Sequence, residues 1–193
     1  MLKMPDYYVR VDSMPEDPAH SVPMCAKTSS AGIFVIYYPI DPNQAMPFGN
    51  AQAVIDGIHQ ALSDRQGLIE VDTDKTASGA DYIYSIVKTI KEPHGVQYTL
   101  TYQIMTENEI VNLQGFFDEI GTTGIRDALV YEAYRSKGKF SDNMDGWMQD
   151  PYDPYYTQGI RMNLSEMVGI DSHFPEHPLS MARALVGYLC DNN

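Results

Sequence analysis

Three observations predict an α+β fold built on an antiparallel sheet. Val96, Tyr98, Leu100, Tyr102 and Ile104 alternate strictly with Gln97, Thr99, Thr101 and Gln103. Successive side chains of a strand point to opposite faces, so this is a strand with one face buried and one face wet. It lies between two other β-rich runs, residues 82–87 and 110–117, and the connections Glu92-Pro93-His94-Gly95 and Glu107-Asn108 are short turns. Strands joined that closely pair antiparallel, which makes a central three-stranded meander. Elsewhere the apolar spacing changes to the helical period, so two to three helices are expected to flank the sheet.

Taken in order, residues 6–13 read as a first strand centred on Tyr8 and Val9, and residues 14–23, with three prolines, as loop. Gly32 to Tyr38 is an unbroken apolar, β-branched and aromatic run, the pattern of a central strand buried on both faces. Pro39, Pro42 and Pro47 end it. Asn50 is placed to cap a helix carrying Ala51, Val54, Ile55, Ile58 and Leu62 at helical spacing. Gly67 reads as the stop of that helix, followed by a short strand at 68–71. Beyond the meander, Thr122 and Thr123 are cap candidates for a helix carrying Ile125, Ala128 and Leu129, which runs to about Tyr134 and ends near Gly138. Residues 139–163 show no periodicity and read as a long loop. A last helix places Ala182, Leu185, Val186 and Leu189 on one stripe and is expected to dock on the body. The division is therefore a core domain, 1–138, and a Tyr/Pro/Asp-rich loop with a docking helix, 139–193, in one globule.

The 193 residues, 44% hydrophobic and 20% charged, suffice for one packed domain. Twenty-six acidic residues against 13 basic ones give a net charge of -13, which repels phosphate backbones and anionic membranes. Neither nucleic acid nor a membrane is an expected partner; a protein is, and a homo-oligomer is allowed. The first residues hold no apolar stretch of signal-peptide length, and Cys25 and Cys190 alone build no disulfide framework. A cytoplasmic protein with two reduced thiols is expected.

Few residues suggest chemistry. His173-Phe174-Pro175-Glu176-His177 spells H-x-x-E-H, the zinc signature of the inverted metalloproteases. That chemistry needs both histidines on one helical face, and Pro175 and Pro178 forbid a helix there. The segment instead suits a helix start: Pro178 in the first turn, His177 or Ser180 as cap, Glu176 at the positive end of the dipole and Phe174 as an apolar staple. Asp142, Asp145, Asp150 and Asp153 are spaced wrongly for an EF-hand, leaving at most a weak, irregular calcium site, and Asp-Pro pairs initiate turns. Gly121-Thr122-Thr123-Gly124 before Arg126 lacks the phosphate-binding patterns and reads as capping. Cys25 and Cys190 have no electropositive setting, and no nucleophile elbow is present. No cofactor, metal or catalytic residue is assigned. Trp147, Tyr152, Tyr155 and Tyr156, clustered in the long loop, are the binding candidates, because Trp and Tyr dominate interface energetics. The competing account is that they pin the loop to the body.

The order strand (33–38), helix (50–63), meander (82–117) and helix (122–134) resembles the PsbP-like fold, an antiparallel sheet between helices. That fold occurs in a photosystem extrinsic protein, a Ran-binding import factor and various bacterial proteins. The resemblance covers about residues 6–135 and implies a scaffold or binding module, with 139–193 as an addition. The expected function is a non-catalytic protein-binding or adaptor domain of a bacterial cytosol. The alternative is a hydrolase or metal-dependent enzyme whose site is assembled from scattered Asp, Glu and His residues.

Overall fold

The computed structural model of the protein describes residues 2–140 and 146–193. Among these, the strands are β1 (Val9–Arg10), β2 (Val22–Lys27), β3 (Ala31–Ile40), β4 (Gln66–Lys75), β5 (Asp81–Ile90), β6 (Val96–Met105) and β7 (Ile110–Glu119). The helices are α1 (Ala51–Ala61), α2 (Ile125–Arg135) and α3 (Pro178–Asn192). All seven strands join one antiparallel sheet in the order β1-β2-β3-β7-β6-β5-β4. The expected meander is β5-β6-β7, in which Tyr102 faces Tyr84 on one side and Leu113 on the other.

The alternation seen in β6 decides what each face meets. Tyr98, Leu100, Tyr102 and Ile104 point to one side, together with Tyr37, Tyr82, Tyr84, Leu113 and Phe117, and all are buried. α3 covers this side with Leu179, Ala182, Leu185 and Leu189, each fully buried. The sheet tyrosines on this face are therefore core residues; Tyr38, on the other face, is half-buried. On the other side α1 sets Val54 and Ile55 against Leu68, Val71 and Ile83. Asn50 caps α1 as expected, its side chain accepting from the Ala53 N–H at 3.1 Å.

Several boundaries differ from the sequence reading, each for a local reason. The first strand shrinks to two residues, and β2 runs through a stretch read partly as loop. Pro23 hid it, yet β2 is nearly an edge strand, where proline is tolerated. β3 is buried toward α3; on the opposite face Ile36 is buried too, while Phe34 is half-buried and stacks on Phe116 across the ladder, ring centroids 6.4 Å apart. Gly67 does not stop α1, which ends with Leu62 as its cap; it lies inside the ten-residue β4. The stretch 139–163 is followed by short 3-10 turns at Leu164–Glu166 and Val168–His173, too brief for a periodic signature. No helix among the described residues is long and apolar enough to cross a membrane.

Candidate functional site

Charged side chains rarely lie inside a protein unless they are paired, because desolvation is costly. Here a paired set gathers where α2 and α3 meet the sheet. Arg126, 1% exposed, donates from Nε to the Ser165 carbonyl at 2.7 Å. Its Nη1 donates to Ser180 Oγ at 2.9 Å and its Nη2 to Asp171 Oδ1 at 2.8 Å. Asp171 also takes Arg183, which reaches on to Glu70 at 2.5 Å. Beside this chain, Glu166 accepts from Lys88 Nζ (2.6 Å), the Tyr98 hydroxyl (2.9 Å) and the Asn163 N–H (2.8 Å). Burial, then the Glu166 charge, push the Tyr98 hydroxyl well above its ordinary pKa, so it remains a donor. Asp127 accepts from Ser165 Oγ and Asn163 Nδ2; burial nevertheless raises its carboxyl above the ordinary value.

His177 and Glu119 complete the group. The His177 ring caps α3, with Nδ1 accepting from the Leu179 N–H at 3.3 Å, which puts the ring proton on Nε2. Nε2 lies 3.7 Å from Glu119 Oε1. Burial pushes Glu119 up, but the His177 ring and the Gly124 N–H outweigh it and hold the carboxyl below its ordinary value. The 2.9 Å bond from that N–H ties Glu119 to the first residue of the turn into α2, which has no side-chain cap. Thr122 and Thr123 do not cap; Gly124 does the turning, in the left-handed region at φ 74°. These charged groups bind one another and thereby fix α2 against the body.

What the framework leaves outside is apolar. α2 buries Arg126 and Val130 and half-buries Asp127 and Tyr131, while Ile125 is 46% exposed and Leu129 57%. The periodicity of Ile125 and Leu129 is helical, as read, but the stripe faces out and not into the core. Residues four apart share a helical face, so Ile125, Leu129 and Ala133 form one line. Phe174 stands opposite, its ring centroid 5.8 Å from the Arg126 guanidinium carbon, and divides a groove into two clefts. One, about 340 Å³, is bounded by Ile125, Glu119, Pro175 and Glu176. The other, about 440 Å³, is bounded by Leu129, Ala133, Ile170, Lys137 and His173.

The four aromatic residues named from the sequence take different places. Trp147, 5% exposed, packs edge-on against Tyr131 at 5.2 Å. The Tyr152 hydroxyl accepts from the Val71 N–H (2.6 Å) and donates to the Val71 carbonyl (3.0 Å), closing the free edge of β4. Tyr156 stacks on His59 with centroids 4.0 Å apart and donates to the His59 carbonyl at 2.9 Å. Tyr155 projects between these two anchors, 89% exposed. Asp150 steadies the strap: Oδ2 meets His59 Nε2 at 3.0 Å, and Oδ1 accepts the Tyr152 and Asp153 N–H groups at 2.9 Å. Asp150 and Asp153 thus do turn work, while Asp142 and Asp145 lie outside the described residues. His173 ends a 3-10 turn and His177 caps α3, so the two share no helical face. Among the described residues no group of three His, Cys, Asp or Glu is placed to hold a metal ion. Burial pushes the Cys190 thiol up, the opposite of what a nucleophile needs.

No family model matches the chain, and no curated protein does. Among solved structures, the solution structure of cyanobacterial PsbP (CyanoP) from Synechocystis sp. PCC 6803 is similar to it. The likeness covers 68% of this chain and 79% of that one, with 16% identity and a TM-score of 0.38. It is a weak PsbP-like resemblance and concerns the fold alone.

Proposed function

We propose that the chain is a non-catalytic protein-binding domain whose contact surface is the outer face of α2 and the groove beside it. One observation carries this reading: Ile125 and Leu129 are exposed in line on a helix that a buried guanidinium holds rigidly in place. Apolar side chains at helical spacing beside a groove are the common means of docking a partner segment. A surface fixed before binding avoids the entropy cost of ordering it afterwards. Tyr155 offers a second contact, held out by the anchored Tyr152 and Tyr156, and Trp147 supports the loop from within. The setting in this reading is a bacterial cytosol, where the Cys25 and Cys190 thiols remain reduced. An enzyme reading has less support, because the acids and histidines it would draw on are engaged with one another inside the fold.

The test is affinity capture with the full chain, compared with Leu129→Glu and Tyr155→Ala variants whose thermal unfolding is unchanged. Leu129→Glu is expected to lose the captured partner, and Tyr155→Ala to weaken its retention. Equal recovery from the wild type and Leu129→Glu would sink the assignment of α2.

A further inference from the structure

The groove beside α2 is graded in charge along its length. Its near cleft, at the start of α2, presents Glu176 to solvent, while Glu119 and Arg126 in its wall are paired with His177 and Asp171. Its far cleft carries Lys137 and His173, and Arg135 and Lys139 follow the same end of the helix. Glu176 is fully exposed, and the Ser29 hydroxyl and N–H hold its carboxyl below the ordinary range, so that end stays negative. We infer that the occupant is an amphipathic helix of a second protein, lying antiparallel to α2, with an acidic first turn and a basic last turn. This inference rests on the reading of α2 as the contact face.

Length, polarity and charge each point that way. Ile125 to Ala133 spans about 12 Å along the helix axis, which about two turns of a partner helix match. Two apolar anchors on that helix, one turn apart, would enter the clefts on either side of Phe174. In the antiparallel orientation the partner's first turn meets Lys137. Acidic residues are favoured there twice, by that cation and by the partner's own helix dipole. Its basic last turn meets Glu176 by the same logic. α2 itself has this order, Asp127 early and Arg135 late, so a second copy is the competitor. Two chains each carrying -13 repel one another, whereas a partner with a basic end is drawn to this surface.

The experiment uses two labelled synthetic peptides of identical composition, about 14 residues long, with leucines spaced to line one helical face. One carries glutamates in its first turn and lysines in its last; the other reverses them. Each is titrated against the full chain by fluorescence anisotropy at low salt. The acidic-first peptide is expected to bind about fivefold more tightly, the scale of one or two exposed ion pairs. Lys137→Glu should erase that preference, and Leu129→Glu should abolish binding of both peptides. Equal affinity for the two orders, or binding of neither, overturns the inference. So does a wild-type dimer in sedimentation that Leu129→Glu dissolves, since a second copy would then fill the groove. If Leu129→Glu loses its captured partner while the peptides are not distinguished, α2 stands as the contact face and only the helix assignment falls. Unchanged capture removes both.

Discussion

A Cβ atom at position 67 would lie 1.6 Å from the Ile160 carbonyl oxygen, so this place in β4 accepts glycine alone. The close approach serves the strap, because the Ile160 N–H donates to the Gln66 carbonyl at 2.8 Å. The obstacle is backbone, which cannot swing aside as a side-chain tip can. Gly67→Ala is therefore expected to lift the strap away from β4 and to cost about 2 kcal/mol, within the usual range for a forced backbone shift. Denaturant unfolding would give the loss. Tryptophan emission adds a separate readout, since Trp147 is the only tryptophan and is buried at the start of the same strap. A variant with unchanged stability and unchanged emission would mean that the strap does not depend on this contact.

Among the elements, β4 has the most to hide, because an edge strand presents unpaired N–H and C=O groups that can recruit another chain. Here Val71 gives both groups to the Tyr152 hydroxyl, and the Thr73 and Lys75 N–H groups turn to the neighbouring Asp72 and Asp74 carboxylates at 2.8 Å. Tyr152→Phe removes the hydroxyl and leaves the Val71 groups bare. The expected result is a loss of about 1 kcal/mol and association that grows with protein concentration, followed by light scattering. A variant that stays monomeric at every concentration would show that Asp72 and Asp74 protect the edge unaided. The strap also shows where reading from sequence stops. Tyr152, Asp150 and Tyr156 stood out by composition, but their partners Val71 and His59 are 81 to 97 positions away, so no local pattern joins them. Periodicity located α2 but could not give its orientation, for the same reason. Arg126 faces inward only because Ser165, Asp171 and Ser180 wait there, 39 to 54 positions further on. The meander and α3 were legible because strict alternation and a continuous apolar stripe depend on near neighbours alone.

For the whole molecule, α3 is part of the core. α3 shields Leu100, Tyr102 and Leu113, so a chain ending at Gly138 would expose that face and is expected to lose cooperative unfolding and bind a hydrophobic dye. The response to acid follows from two carboxylates that hold the start of α2 with opposite consequences. Glu119 has its folded pKa below the ordinary 4.5. Its stabilisation is present above the unfolded value and is lost as pH falls through the folded one. Asp127 has its folded pKa above the ordinary 3.8, chiefly through burial. Its contribution is full below the unfolded value and is lost as pH rises through the folded one. The wild type should therefore gain stability relative to Asp127→Asn as pH falls toward the ordinary 3.8. Relative to Glu119→Gln its advantage should shrink as pH drops below about 4.5. Each substitution also removes hydrogen bonds, which shifts the curves by a constant, so the slope against pH is the quantity to read. Urea midpoints measured at fixed pH steps give it directly. Parallel slopes for the two variants would mean that these carboxylates do not hold α2 in the way their surroundings imply.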